Sequence, residues 1–173
     1  MGKIVLARHG ETDWNIERRY QGHLDPPLNA TGRRQSEELA GSLAAERIDA
    51  IYSSDLRRAL ETTQIVGGRL GLPVVTDQGL REVDLGSWAG LTPIEVAERF
   101  GESAMHDGET RGEHTERVVE AVRRIAARHP EGSILVVTHG GSIRALERAV
   151  NGGQSARVVA NCEIFRLTGE QLD

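Results

Sequence analysis

Residues 134–142 have the sequence Ile-Leu-Val-Val-Thr-His-Gly-Gly-Ser, and residues 4–10 have the sequence Ile-Val-Leu-Ala-Arg-His-Gly. Each stretch is a short aliphatic run that stops at His-Gly, which is typical of a buried strand followed by a sharp turn. Because ligands gather beyond the carboxyl ends of parallel strands, His9 and His139 are predicted to face each other across one pocket.

Short β-rich runs alternate with longer helical patterns in the rest of the chain. Further strands are predicted at 50–53, at 74–75 and, as a final edge strand, at 161–167. Helices are predicted at 31–46 with Thr31 as its cap, 55–70, 93–100 behind a Thr92 capping box, 115–129 and 142–150; residues 14–30 and 80–88 are predicted to be irregular. This alternation predicts an α/β fold, a three-layer α/β/α sandwich on a mostly parallel central sheet. The length predicts one domain, 1–173, with a short cover around 89–114.

The composition argues against a nucleic-acid-binding protein. The 173 residues carry 21 Lys and Arg against 26 Asp and Glu, a net charge of −5, and aromatic residues make up only 3%. An acidic chain with few aromatic residues argues against nucleic acid as a partner. Lys3 is the one lysine, so nearly every positive charge is an arginine. One explanation is codon bias, and another is a need for planar guanidinium groups around an anion. Composition alone does not separate the two explanations.

Nothing in the sequence indicates an oxidising compartment or a membrane. Cys162 is the one cysteine, which excludes an intrachain disulfide, and we interpret it as a buried free thiol. The apolar run that ends at Ala7 is too short for a signal segment, and no run approaches the length of a membrane span. A cytoplasmic protein is therefore expected.

The residues around the two histidines suit phosphoryl transfer. His9 is a competent nucleophile if its imidazole is neutral, and Arg8 offers a fork for phosphate oxygens. His139 precedes a predicted helix whose first N–H groups favour an anion. Residues 53–58 place an arginine at another strand end, and either Glu82 or Asp84 is suited to proton transfer.

Together, these segments resemble the histidine phosphatase superfamily, with its phosphoglycerate mutase-like fold, and in particular its phosphatase branch. The motifs that carry the resemblance occur in the family's order: residues 8–12 with Trp14 and Asn15, 54–59, 80–90, and 137–141, to which the segment 25–29 adds. The five ordered motifs are spread from residue 4 to about 150, so the resemblance covers nearly the whole chain.

The resemblance implies a role for each matching residue. His9 is the histidine that attacks phosphorus, Glu82 is the proton donor and acceptor with Asp84 as a weaker competitor, and Asn15 reaches the phosphate. Arg8, Arg58 and His139 bind the phosphoryl oxygens, and with these cations present no metal or other cofactor is needed. Other substrate-side candidates are Thr12, Gln21, Gly22 and Gly140.

Several histidines lie outside these motifs. A set of residues with the appearance of a metal cluster lies near the predicted cover: His106, Asp107, Glu109, Glu113 and His114. Their spacing does not fit a zinc hydrolase, and we interpret them as a solvated loop over the pocket. His114 stands where the family commonly has serine, which leaves open whether it contacts substrate, and the same question applies to His23 at the entrance.

The expected activity is hydrolysis of a small phosphate ester through a phosphohistidine on His9. A phosphoglycerate mutase is the alternative, but a small cover leaves phosphohistidine accessible to water. A phosphate-binding module without catalysis is a third reading, and it would be expected to have lost His9, Glu82 or His139. The expected partner is a small phosphorylated metabolite, with no nucleic acid and no membrane; a homodimer is left open.

Overall fold

The computed structural model describes residues 2–153 and 157–172. Within this part of the chain, five strands form one sheet in the order β3-β2-β4-β1-β5. The strands are β1 Lys3–Arg8, β2 Ala50–Ser53, β3 Val74–Thr76, β4 Ser133–Thr138 and β5 Ile164–Thr168. All neighbouring pairs are parallel except β1 with β5, which is antiparallel. The predicted α/β class, with a mostly parallel sheet and an edge strand at the end, is therefore confirmed.

Helices cover both faces of the sheet. Six are described: α1 Asp13–Ile16, α2 Ala30–Leu43, α3 Arg57–Leu70, α4 Pro93–Phe100, α5 Arg111–Ala127 and α6 Gly140–Val150. Apolar residues of α5 and α6 pack against one face, and those of α2 and α3 pack against the other. No helix in the described residues is long and apolar enough to cross a membrane.

Strand β1 shows why the sheet needs both layers. Ile4 and Leu6 belong to the core under α5 and α6, whereas Val5 and Ala7 belong to the core under α2 and α3. Successive side chains of a strand point to opposite faces, so a continuous aliphatic run requires cover on both sides. The same alternation holds in β4, and the two strands pair directly from Lys3–Ser133 to Arg8–Thr138.

Several predicted helix boundaries were wrong. Helix α2 is capped by Asn29, whose side-chain oxygen accepts from the Gly32 N–H at 2.8 Å, and not by Thr31. Helix α5 begins at Arg111 behind a Thr110–Glu113 capping box, so the predicted start at residue 115 lay one turn too late. The predicted loop at 14–30 contains three of the four residues of α1 and the first residue of α2, and 3₁₀ turns occupy 78–80 and 86–88.

The end of β1 lies very close to α2. A Cβ placed on Gly10 would lie 2.4 Å from the Gly32 carbonyl oxygen, and one on Gly32 would lie 2.1 Å from the Glu11 carbonyl oxygen. Two glycines therefore let the turn after His9 pack directly on a helix backbone. This contact fixes the backbone that carries the first histidine.

Candidate active site

His9 lies at the carboxyl end of β1 with its ring orientation fixed by the backbone. Its Nδ1 is 2.7 Å from the carbonyl oxygen of Gly10, which is an acceptor, so Nδ1 carries the proton. The lone pair of the neutral ring therefore resides on Nε2. The side chain is almost fully buried yet contributes to the wall of a cleft, which is the position that a nucleophile requires.

The surroundings of His9 keep its imidazole neutral. Burial holds its pKa well below the usual 6.5, and the charges of Arg58 and Arg8 lower the pKa further. A neutral imidazole at ordinary pH retains the lone pair that nucleophilic attack requires.

Arg8 and Arg58 are each anchored to the backbone by their terminal nitrogens. Arg8 donates from NH1 to the Val159 carbonyl at 2.6 Å, and Arg58 donates to the carbonyls of Leu24 and Gly22 at 2.8 and 2.9 Å. The Nε atom of each arginine is buried and has no hydrogen-bond partner in the described residues. Buried donors are nearly always satisfied, so two Nε–H groups without partners in one cleft favour the binding of an anion there.

Burial also affects the two guanidinium groups. It lowers the pKa of Arg8, and it lowers the pKa of Arg58 to about 10, although the nearby Glu82 carboxylate opposes both shifts. Both arginines remain protonated at neutral pH. The cleft therefore has a positive floor in a protein of negative net charge.

His139 lies behind His9 and is fully buried. The two ring centroids are 5.2 Å apart in an edge-to-face arrangement, and Nε2 of His139 is 2.8 Å from the Ser54 hydroxyl. Its Nδ1 has no partner in the described residues. Burial, followed by the charge of Arg58, holds the pKa of His139 well below 6.5. The structure thus brings the two predicted histidines together.

Glu82 reaches the same cleft from the loop after β3 and is held by two backbone donors. Its Oε2 accepts from the Gly141 N–H at 2.9 Å and its Oε1 accepts from the Val83 N–H at 3.0 Å. A Cβ on Gly141 would lie 2.1 Å from Oε1, so only glycine permits this approach. The carboxylate is thereby fixed at the first turn of α6.

The cleft has a volume of about 270 Å³ and contains most of the predicted site residues. Its lining residues are Arg8, His9, Asn15, Arg19, Tyr20, Gln21, Gly22, Arg58, Glu82, Val83, Leu85, Gly141 and Arg144. Three predicted residues, Thr12, His139 and Gly140, are fully or nearly fully buried and are not in the lining.

Asn15 is positioned by the capping box of α1. Its Oδ1 accepts from the backbone N–H and the hydroxyl of Thr12 and from Asn161 Nδ2. The amide nitrogen of Asn15 is thereby left to donate into the cleft. Thr12 acts by orienting Asn15. Gln21 lies in the wall with its buried Oε1 unpartnered in the described residues, and Gly22 has a positive φ of 50°.

Sequence reasoning missed Arg144, which also lines the cleft. A Cβ on Gly140 would lie 3.5 Å from Arg8 Nε and 3.6 Å from Arg144 NH1, so the two guanidinium groups share one corner of the site. No ion pair to Arg144 forms within the described residues. Its position four residues after Gly140 places it one turn along the same face of α6, and this spacing is the signal that could have identified it.

The weaker proton-transfer candidate, Asp84, is half exposed and caps a turn by accepting from the Gly86 N–H at 2.9 Å. It is not in the cleft lining. His23 Nε2 is 2.8 Å from the main-chain oxygen of Glu82, so it contacts the loop that carries Glu82. Because that oxygen is an acceptor, His23 is the donor.

The residues that resemble a metal cluster do not converge. Asp107 accepts from Ser87, Glu113 caps α5, and Glu109 pairs with Arg117 at 2.6 Å. His114 is buried instead of lying in a solvated loop, which corrects that prediction. Among the described residues, no three His, Cys, Asp or Glu side chains could hold one metal ion.

Cys162 is half-buried, less than predicted, and lies in a positive-φ turn beside β1. Its N–H donates to the Arg8 carbonyl at 3.0 Å. Burial raises the pKa of the thiol to about 11, so it is not a nucleophile at neutral pH.

Comparison with known proteins identifies the family of the chain. The chain is 41% identical to phosphoglycerate mutase-like protein 4 of Arabidopsis thaliana, over 95% of this chain and 79% of that one. It is 35% identical to a metal-independent phosphoserine phosphatase of the same plant, over 94% and 74%. A mycobacterial glucosyl-3-phosphoglycerate phosphatase in complex with VO3 superimposes with a TM-score of 0.89 at 33% identity, over 96% and 90% of the two chains.

A family model described as the histidine phosphatase superfamily (branch 1) matches residues 4–171, which is nearly the full length. The phosphoglycerate mutase-like fold is confirmed by the structural match, and the predicted class of enzyme, a phosphoric monoester hydrolase, is confirmed by the family and by its phosphatase relatives. The chain therefore belongs to branch 1 of the histidine phosphatase superfamily.

Proposed function

We propose that this phosphatase transfers the phosphoryl group of a small ester first to His9 Nε2 and then to water, without a metal. The observation that carries the proposal is the fixed ring of His9, with its proton on Nδ1 and its lone pair on Nε2 beside two arginines with orphaned Nε–H groups. A nucleophile, charge stabilisation and a proton carrier are the groups that phosphoryl transfer requires.

In the first step, the Nε2 lone pair attacks phosphorus and the bond to the leaving oxygen breaks. Glu82 gives its proton to that oxygen, so the product leaves as an alcohol and Glu82 becomes a carboxylate. Arg8 and Arg58 stabilise the charge on the transferring group through Nε–H, and Asn15 donates from its side-chain amide. His139 lies behind His9 and contributes to this charge stabilisation through its Nδ1 atom, which has no partner in the described residues.

In the second step, the Glu82 carboxylate takes a proton from water, the water oxygen attacks phosphorus and the P–N bond breaks. Phosphate leaves, His9 is again neutral and Glu82 is again protonated. Glu82 lies in the cleft wall with His9, within the reach of a solvent molecule.

We propose a small substrate that carries a second negative charge besides its phosphate. The cleft of about 270 Å³ favours a small ester. Arg144 adds a further arginine to its lining, beyond the two that bind the phosphate, and this cation is available for a second negative charge. The solved relative named for glucosyl-3-phosphoglycerate acts on an ester that bears a carboxylate, which supports this choice. The cytoplasmic location stays a prediction, and whether the protein forms a homodimer stays open.

The test is hydrolysis of p-nitrophenyl phosphate in EDTA. The wild-type protein is expected to release phosphate under these conditions, and His9→Ala is expected to lose at least about 10³-fold in kcat because no nucleophile remains. Acid-labile phosphate on the wild-type protein, absent from His9→Ala, identifies the intermediate.

The matched control is His129→Ala. His129 lies beyond the far end of α5, hydrogen-bonded to Tyr52 at 2.9 Å, so its loss is expected to leave kcat unchanged. Activity that requires added metal, or that survives in His9→Ala, rejects the mechanism. Interconversion of 3- and 2-phosphoglycerate that outruns phosphate release would make the protein a mutase.

A further inference from the structure

His114 is a buried histidine beside the acid–base residue, and the mechanism above does not use it. It lies in the first turn of α5 and is 3% exposed. Its Nε2 is 3.8 Å from Oε1 of Glu82, too far for a hydrogen bond but with no room for a water between them.

Ser142 determines which ring nitrogen of His114 carries the proton. The Ser142 hydroxyl donates to the Arg81 carbonyl at 3.0 Å, and this bond uses its one hydrogen. At its contact of 3.1 Å with His114 Nε2, the hydroxyl oxygen is therefore the acceptor. The Nε2–H group of His114 is thus held between the hydroxyl and the Glu82 carboxylate.

Charged groups from several elements surround this pair. Burial lowers the pKa of His114, and the Glu82 carboxylate opposes the shift. The groups that act on His114 are Glu82, Arg117, Glu109, Arg148 and the ring of His139. The groups around Glu82 are Arg8 of β1, Arg58 of α3, His114, and, at its main-chain oxygen, Arg117 and His23.

We propose that His114, held by Ser142, is a positioning residue that favours the ionised form of Glu82 and thereby lowers the pH at which this acid gives up its proton. The inference rests on the proposed function of Glu82 and deepens it. Glu82 must be protonated for the first step and ionised for the second. By favouring the carboxylate, His114 favours hydrolysis of the phosphohistidine over its persistence.

The test compares the pH dependence of kcat/KM in His114→Ala and His114→Gln with that of the wild type. The alkaline limb of this profile is the pH range in which kcat/KM falls because Glu82 loses its proton. In His114→Ala this limb is expected to move to a pH about half a unit higher, because the N–H group that favoured the carboxylate is gone. KM is expected to change less than about twofold, because His114 does not line the cleft. His114→Gln is expected to restore the limb, since its amide N–H replaces Nε2–H.

The control is His129→Ala, which removes a half-buried histidine from beyond the other end of the same helix, outside the cleft lining. Its limb is expected to coincide with that of the wild type. A folded His114→Ala protein with an unmoved limb, or a Gln variant that shifts as far as Ala, would overturn the inference. The proposed function would still stand if the wild type hydrolyses the ester.

A second measurement does not depend on activity. In a ¹⁵N titration of the histidines, His114 is expected to be protonated at Nε2 when neutral, and Glu82→Gln is expected to lower its pKa by about one unit. The opposite tautomer, or a pKa unchanged by Glu82→Gln, shows that the two groups are uncoupled. If the wild type proves inactive, this titration still decides the inference.

Discussion

Arg8 and Arg58 each use one guanidinium group for two tasks. The terminal nitrogens bind backbone carbonyls, and the Nε edge is left for an anion. A lysine has a single ammonium group without a rigid fork and could not hold two partners on separate edges. At these two positions, the near absence of lysine from the sequence therefore has a structural reason beyond codon bias.

Arg144 allows a prediction about substrate choice. We expect Arg144→Gln to lower kcat/KM about tenfold for an ester with a carboxylate, such as 3-phosphoglycerate, because a charge-assisted contact is lost. For p-nitrophenyl phosphate, which has no second acid, the loss is expected to be less than about twofold. Steady-state kinetics on both esters measure the difference.

Arg33→Gln is the control for this change of charge. Arg33 is exposed on α2, 3.5 Å from Glu61, and does not line the cleft. The Arg33→Gln substitution is expected to leave kcat/KM unchanged for both esters. Equal losses for the two esters in Arg144→Gln would mean that Arg144 serves the phosphate and not a second charge.

At the scale of elements, the junction between β4 and α6 is the tightest part of the site. We expect Gly141→Ala to lower kcat by about 10²-fold or more, because a methyl group 2.1 Å from Oε1 must displace the Glu82 carboxylate. KM is expected to change little, since the phosphate-binding arginines are untouched. Kinetics on p-nitrophenyl phosphate measure both.

Gly41→Ala gives the matched control within another helix. A Cβ on Gly41 meets nothing within 4 Å, so this substitution is expected to keep full activity and to stabilise α2 by about 0.5–1 kcal/mol. Unaltered kcat in Gly141→Ala would show that Glu82 does not need its bond to the α6 N-terminus.

The sequence predicted elements well where local pattern and burial agree. Strand β4 is aliphatic and buried from Ile134 to Val137, and α4 carries its capping box and proline in sequence order. Prediction failed at the start of α2, where Asn29 and Thr31 are both good caps and only the tertiary contact of Gly32 selects between them. Helix α1 has four residues, too few for a period.

The same limit applies to the candidate site. The four strand-end motifs converge as expected because the rule for parallel sheets brings their ends to one edge. The link from His114 through Ser142 to Glu82 joins three distant segments, and no local pattern encodes it. Resemblance to the family did not supply it either, because His114 is where this chain departs from the common serine.

For the whole molecule, the buried histidines predict how stability depends on pH. Burial lowers the pKa of His9, His139 and His114 below 6.5, so between pH 6.5 and those lower values the unfolded chain binds more protons than the folded one. Stability therefore falls as pH falls through this window. Thermal melting in phosphate-free buffers is expected to show Tm decreasing from pH 7 to pH 5.

Carboxylates do not explain a loss in that window. Asp55, for example, has its pKa lowered below 3.8, first by its hydrogen bond from Arg81, so its contribution is lost only at still lower pH. His114→Gln is expected to flatten the decrease in Tm, whereas a Tm that is constant or rises from pH 7 to pH 5 would contradict the assignment.

Strand β1 is synthesised before the strands with which it pairs. It lies between β4 and β5, Val159 anchors Arg8, and Asn161 donates from Nδ2 to the His9 carbonyl at 3.0 Å. On the ribosome, the nucleophile therefore emerges before its partners, which lie more than 120 residues downstream, and its aliphatic strand is uncovered until they follow. Catalysis is therefore expected only after β5 has been synthesised, and a chain that ends before β5 is expected to expose a hydrophobic strand and to lack activity.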